Sequence, residues 1–381
     1  MTPLTLIAAA LWLGSASALA MAAWNAAAWP RVAMNAGDAR LSGTVSVLIP
    51  ARDEGAHIGP CLEHAAAEGA AVAEILVYDD HSADDTAAVV TEWSARDSRV
   101  RLLAPAPLPP DWCGKPFACL CLAQAASGDW LLFLDADARL KPGAAAALVG
   151  EAERRNATLL SAWPGLTLAS PWEAILMPLL NFTVLTLFPT PLSFRRDLPA
   201  LGLAHGACIL VSRAVYEANG GHGAVHDAVF EDTALARHWR RSGSRGLCLD
   251  GQDTVEVRMY DSFSGIWNGF QKNIHAGFER ALSFWLFLAG HGAFFVAPLA
   301  LAAVLPWGPA KAWAAAAVLN GLLARWALAL RFRQSKTAVL LHPLAESLLI
   351  ALGLAAWLRH VLGKGVVWKG RSYRAGKGAK A

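Results

Sequence analysis

Two aspartates one residue apart close an apolar run in WLLFLDADARLK: Asp135 and Asp137 follow Leu131 to Leu134. Alternate side chains of a strand share a face, so both carboxylates can turn toward one spot. Two hard oxygen ligands there suit Mg²⁺ or Mn²⁺, which binds phosphate oxygens in turn. The same D-x-D also reads as an acidic turn that ends a strand. Further carboxylates follow apolar runs elsewhere: Asp53 and Glu54 after VSVLIPAR, and Asp79 and Asp80 after EILVY. Glu231 and Asp232 stand at the head of a helical pattern, where the helix dipole favours negative charge. Singly, the Asp79–Asp80 turn reads equally as a helix cap, the Glu231–Asp232 pair as an ordinary acidic helix start, and Lys115 as a solvated loop lysine.

The elements that must position these groups alternate. Strands are expected at Val45–Ile49, Glu74–Val77, Val100–Leu103 and Leu131–Leu134, with helices around Ile58–Ala67, Thr86–Trp93 and from Lys115 to Ala126. Strand–helix alternation predicts an α/β fold with a mostly parallel sheet covered on both faces. Ligands of such sheets bind beyond the carboxyl ends of the strands. Asp53, Asp79, Asp80, Asp135 and Asp137 all fall at such ends, and that coincidence separates them from chance acidic turns.

Hydrophobic residues make up 55% of the 381-residue chain and charged residues 17%. That excess of apolar sequence points to membrane. No charge interrupts Thr2 to Pro30, which is long enough to span a bilayer and lacks the basic n-region of a cleaved signal. Residues 1–30 therefore read as an anchor. Arg31, Arg40 and Arg52 behind it place the following domain, 43–280, on the cytosolic side. Within that domain, 159–194 turns apolar but is broken by five prolines, and is expected to form helices on or dipping into the membrane face. Residues 283–360 supply Phe284–Trp307, Trp313–Leu330 and Ala338–Leu358. The last carries Pro343 and Glu346 and precedes a basic tail, 361–381; three crossings would leave that tail outside, against the charge rule, so the last segment is expected to re-enter or lie flat. A net charge of +3, without interleaved basic and aromatic residues, argues against a nucleic-acid partner. Six cysteines with no C-x-x-C pair read as free thiols of a reducing compartment.

The ordered segments VSVLIPARDE, VYDDHSADDT, WLLFLDADA and FEDTALA resemble glycosyltransferase family 2, the inverting enzymes of the GT-A fold, from Val45 to about Ala276. The flanking apolar segments and VVWKGRSY near the end look most like the membrane-bound bacterial branch associated with hopanoid and carotenoid glycosylation. The resemblance implies a GT-A fold with transmembrane helices at both ends. It also implies transfer of one sugar from a nucleotide sugar, expected to be a UDP-sugar, to the hydroxyl of a membrane lipid. Pro50, Arg52, Asp53, Glu54, Asp79 and Asp80 would then line the nucleotide. Asp137 would bind the metal, with Asp135 on the ribose or in the metal shell, and Lys115 would add positive charge. Asp232 would take the acceptor proton, with Glu231 orienting it or the acceptor. Processive relatives carry Q-x-x-R-W in a later amphipathic helix. Here Gln271-Lys272-Asn273-Ile274-His275 stands in that place without Arg-Trp, which favours single-sugar transfer; Gln271 and Lys272 remain candidates for the donor phosphates. A polyprenyl phosphate acceptor, or a non-catalytic membrane scaffold, are the other readings this pattern permits.

Overall fold

A computed structural model describes residues 2–34, 43–276, 278, 280–362, 366–368, 371–374 and 377–380, with side chains except at 272, 273, 275, 276 and beyond 362. Arg40, Lys364, Lys369 and the side chains of Lys272 and of the basic tail therefore lie outside the described residues. The chain divides into two compact units.

The first unit comprises 30–167, 192–259 and 365–381. Its strands in the first half are β1 Val45–Ala51, β2 Val72–Asp79, β3 Val100–Leu103, β4 Trp130–Leu134, β5 Ala138–Leu140, β6 Leu159–Trp163 and β7 Gly165–Leu166. Between them run α2 Gly55–Ala66, α3 Thr86–Arg96, α4 Gly114–Ala125 and α5 Ala144–Arg154, while α1, Pro3–Ala28, belongs to the other unit. Then come β8 Cys208–Ser212, α9 Arg213–Ala218, α10 Glu231–Arg241, β9 Gly246–Asp250 and β10 Val255–Val257. Seven strands form one sheet in the order β3-β2-β1-β4-β8-β6-β9. All neighbours are parallel except β8, which runs antiparallel to β4 and β6. The central strands are apolar along nearly their whole length, because helices cover both faces. A small second sheet pairs β5, β10 and β7. Three short tail strands, β11 Val366–Trp368, β12 Arg371–Arg374 and β13 Lys377–Lys380, pair antiparallel.

This sheet corrects one expectation. Leu159 to Trp163, read as the start of a membrane-associated stretch, is the fully buried strand β6 between β8 and β9. A strand buried on both faces is continuously apolar and cannot be told from a membrane helix over five residues.

The second unit comprises 1–29, 168–191 and 260–364. It holds α1 Pro3–Ala28, the short α6 Pro171–Leu176 and α7 Leu179–Leu185, and α11 Phe263–Ala276. After these come α12 Ala281–His291, a π-helical turn Gly292–Val296, α13 Ala297–Val304, α14 Pro309–Arg331 and α15 His342–Val361; the small α8, Thr190–Ser193, straddles the boundary. Among the described residues, four helical segments are long and apolar enough to cross a membrane: Pro3–Ala28, Ala281–Val304, Pro309–Arg331 and Thr337–Val361. Within the last of these, Pro343 sits in the first turn of α15, where its missing N–H has no partner to lose, and the helix continues unbroken.

Small and polar residues join these helices, as they do where water does not drive association. Gly353 on α15 accommodates Leu288 of α12, and Asn320 on α14 donates to Ser15 Oγ of α1 at 3.1 Å. Buried Asn25 donates to the carbonyls of Leu185 and Phe188 and accepts from the Thr190 N–H, tying α1 to the end of α7.

Candidate active site

The site residues of the sheet unit gather at the carboxyl edge of β1, β2 and β4. Ala51 lies opposite Asp79 in the β1–β2 pairing, and Leu48 opposite Phe133 in the β1–β4 pairing. Asp135, two residues beyond Phe133, is therefore level with Pro50 and about 10 Å from the end of β2, at the usual spacing across two strand intervals.

On the β1–β2 side, a web of local bonds fixes the loops. Arg52 donates to the Asp80 carbonyl at 2.6 Å, and its guanidinium lies 3.9 Å from the Asp80 carboxylate. Asp53 has a φ of +52°, a left-handed conformation that aspartate tolerates better than most residues. Its carboxylate accepts the Ala83 N–H at 2.7 Å. Asp79 accepts from the Ser82 hydroxyl and N–H. Glu54 pairs with His57 at 2.9 Å. Asp53 and Asp79 thus hold the loops in shape, and Arg52 and buried Asp80 form the adjoining charged pair.

On the β4 side, Lys115 is the hub. It enters at the start of α4, whose preceding residue Cys113 donates its N–H to the His226 carbonyl at 2.7 Å. Its ammonium lies 2.7 Å from Asp135 Oδ1 and 2.8 Å from Glu231 Oε1. Burial opposes protonation of Lys115, but the two carboxylates outweigh it and hold the ammonium well above the usual lysine range. Burial likewise disfavours the Glu231 carboxylate, and Lys115 overcomes this to lower its pKa. Asp232 Oδ2 accepts the Gly206 N–H at 2.9 Å. Burial first, and the neighbouring Glu231 charge second, push Asp232 up to about 7. Asp137 is also raised to about 7, by burial and then by the charges of Asp135 and Glu54.

Two residues of this cluster escaped the sequence reading. A Cβ on Gly206 would stand 2.9 Å from Lys115 Nζ and 3.5 Å from both Asp232 Oδ2 and Glu231 Oε1, so only glycine lets the backbone approach the cluster this closely. The signal was a glycine just before a buried strand, a common mark of close backbone approach. Neighbouring His205 is buried, bonded through its backbone N–H to Ser161 Oγ, and held at about 3 by burial and then by Lys115.

Gln271 and Lys272 fall on α11, in the other unit, and the Lys272 side chain lies outside the described residues. Among the described residues no three His, Cys, Asp or Glu side chains converge as a ready-made metal cage. The donor chemistry nonetheless suits a divalent cation. Asp137 is raised first by burial and then by its carboxylate neighbours, and a cation would relieve that repulsion. Mg²⁺-type ions at phosphate sites commonly take only one or two protein carboxylates, the remaining ligands being phosphate and water.

A largely parallel sheet with one reversed strand, bearing acidic residues and a lysine at its carboxyl edge, is the architecture of the GT-A class. Residues 46–220 match the family model Glycosyl transferase family 2. The chain is 28% identical over 239 residues to the 4,4'-diaponeurosporenoate glycosyltransferase of Staphylococcus haemolyticus, covering 61% of this chain and 62% of that one. It is 26% identical over 255 residues to the enzyme of that name from Staphylococcus aureus strain MRSA252, covering 64% and 66%. The match thus spans slightly less than two thirds of the length of these curated relatives. Among solved structures, mannosyltransferase PcManGT from Pyrobaculum calidifontis, determined with GDP-Man and Mn²⁺, has the same fold: the TM-score is 0.56 at 18% identity, over 95% of this chain and 99% of that one.

Proposed function

We propose that this protein transfers a single sugar from a nucleotide sugar to an oxygen nucleophile on a membrane lipid, with inversion at the anomeric carbon. One observation carries the reading: Lys115 bridges Asp135 and Glu231 directly beside Asp232, a carboxylate pushed up to about 7. A base that titrates near ambient pH is matched to taking a proton from an alcohol as its oxygen attacks. In the step, the acceptor oxygen bonds to the anomeric carbon and its proton passes to the Asp232 carboxylate. The bond from that carbon to the nucleoside diphosphate breaks, and the electron pair leaves on the phosphate oxygen. Lys115 keeps Glu231 ionised and fixes the position of Asp135, and Gly206 holds Asp232 through its N–H. Arg52 and Asp80 are assigned to the nucleoside, which we take to be uridine. Asp137, with Asp135, would hold Mg²⁺ or Mn²⁺; such an ion neutralises charge on the leaving diphosphate. The four membrane-length helices supply the bilayer affinity that a lipid acceptor requires, and the basic segments beside them favour a catalytic unit on the cytosolic face.

A second reading concerns the acceptor atom. The curated relatives carry the name of a carboxylate, diaponeurosporenoate. A carboxylate acceptor is already ionised and needs no base. Purified full-length protein given labelled UDP- or GDP-sugar and a lipid extract tests the proposal. Label entering the lipid phase, lost with a chelator and in Asp232→Asn, supports transfer to a hydroxyl. Transfer that survives in Asp232→Asn and gives an alkali-labile ester supports the carboxylate. No labelled lipid from either donor overturns both.

A further inference from the structure

The apolar unit contains a second cluster of buried charge. Glu346 on α15, wholly buried, accepts from His291 Nδ1 of α12 at 2.7 Å. His342, one turn earlier on α15, has its Nε2 3.7 Å from Glu346 Oε1, beyond hydrogen-bond reach. The α14 helix meets the same place: a Cβ on Gly321 would touch the His342 ring at 3.8 Å, and Arg325 lies one turn further along. Arg325, 1% exposed, donates through Nη1 to Gln334 Oε1 at 2.6 Å. Aromatic rings enclose the group, Phe182 lying 4.3 Å and Phe295 5.8 Å from the His342 ring, centroid to centroid.

Five polar atoms here have no hydrogen-bond partner among the described residues: Arg325 Nη2, Gln334 Nε2, both ring nitrogens of His342, and Glu346 Oε1. Buried polar atoms are nearly always paired, and an ionisable group among membrane-length helices marks a functional site by default. The helix also departs from regularity beside it: the π-helical turn Gly292–Val296 follows His291 directly, and such turns concentrate at functional sites. The vacant valences define what fits. With neutral imidazoles, donors are open on Arg325, Gln334 and one nitrogen of His342, and acceptors on Glu346 and the other nitrogen. Arg325 and Glu346 cancel in charge. An anion would satisfy the donors only and face Glu346; a cation would satisfy the acceptors only and face Arg325. A neutral group that both donates and accepts meets both sets, and a hydroxyl is the simplest such group.

We infer that this cluster is a binding site for the hydroxyl end of a long-chain lipid, its hydrocarbon held by the surrounding apolar helices. The test uses the full-length protein in lipid nanodiscs with a photoreactive long-chain alcohol, the labelled peptides being identified by mass spectrometry. Labelling should concentrate on α14 and α15. Hexadecanol should displace the probe about tenfold better than hexadecyl methyl ether, which cannot donate. His342→Phe, which keeps a ring but removes both nitrogens, should weaken labelling by a similar factor while the melting temperature holds. Equal competition by the ether, labelling spread evenly over all helices, no labelling, or undiminished labelling in a folded His342→Phe protein would each overturn the site in favour of trapped water. Should His342→Phe not fold, the alcohol–ether comparison on the unmodified chain decides alone. No sugar transfer is read, so failure here leaves the transferase proposal untouched.

Discussion

Two clusters of buried charge in this molecule are built on opposite terms. At the sheet edge, Lys115, Asp135, Glu231 and Asp232 pair with one another or with backbone N–H groups, and none keeps a buried side-chain atom without a partner. Among the apolar helices, the Arg325, Gln334, His342 and Glu346 group leaves five atoms unpaired among the described residues. The first is preorganised: its charges are held where a reaction would need them, so little need reorganise as charge moves. The second is incomplete by itself and asks for another molecule. Closed networks set up chemistry, and open ones set up binding. Damage to the closed network should therefore show in rate as well as in stability.

The largest effect belongs to Asp232→Asn. With a hydroxyl acceptor, loss of the base should lower kcat by about 10²–10⁴-fold, measured by transfer of labelled sugar to lipid. Stability should move the other way. The folded pKa of Asp232, about 7, lies above the usual value for an aspartate. Its contribution to stability is therefore fully present below about pH 4 and is lost as pH rises to 7. At pH 8 the buried charge is a liability that asparagine removes, so the melting temperature of Asp232→Asn should equal or exceed that of the parent. A parallel loss of rate and fold would mean that Asp232 is a structural capping residue.

Lys115→Met comes next. It strips the cation from Asp135 and Glu231 together. Removing one partner of a fully buried ion pair costs about 3–5 kcal/mol; because Lys115 keeps 24% of its side chain exposed, about 1–3 kcal/mol is the expected loss after solvent screening, read from chemical denaturation. Gly206→Ala should be milder for folding and selective for rate. The new methyl would displace the Lys115 ammonium from between its carboxylates, lowering kcat about tenfold with donor KM little changed. If kcat holds while donor KM rises, the cluster serves nucleotide binding rather than the transfer step.

How much of this was legible beforehand follows from the same contrast. Acidic residues at the ends of apolar strands are visible in a sequence because strand and turn are both local. Asp135, Asp137, Glu231 and Asp232 could therefore be singled out, and the alternating pattern gave the parallel sheet. The Lys115 bridge was not legible, since it joins positions 115, 135 and 231 through sheet order alone. Gly206 was invisible for the same reason: its role is space left for another element. Leu159–Trp163 misled because a doubly covered strand and a membrane segment share one composition. The cluster around Glu346 was harder still. Pro343 and Glu346 were read as interruptions of a span, whereas the proline begins the helix and the glutamate meets His291 from 55 residues away.

The smallest effect is a pH profile, and it bears directly on whether the closed cluster does proton chemistry. Burial first, and Glu231 second, set Asp232 near 7, so the fraction of ionised base rises with pH through neutrality. For a hydroxyl acceptor, kcat should increase from pH 6 to 8 and then level, with the rate at pH 7 about half the plateau. Asp137 titrates in the same range, so the measurement needs saturating Mn²⁺: a cation bound to that carboxylate keeps it ionised and leaves Asp232 as the group that moves. Glu231→Gln then serves as the control. Removing the adjacent negative charge should shift the midpoint to lower pH, whereas a profile set by the lipid or by donor binding would not follow it. A carboxylate acceptor predicts a flat profile over the same interval, because neither the nucleophile nor a base changes state there.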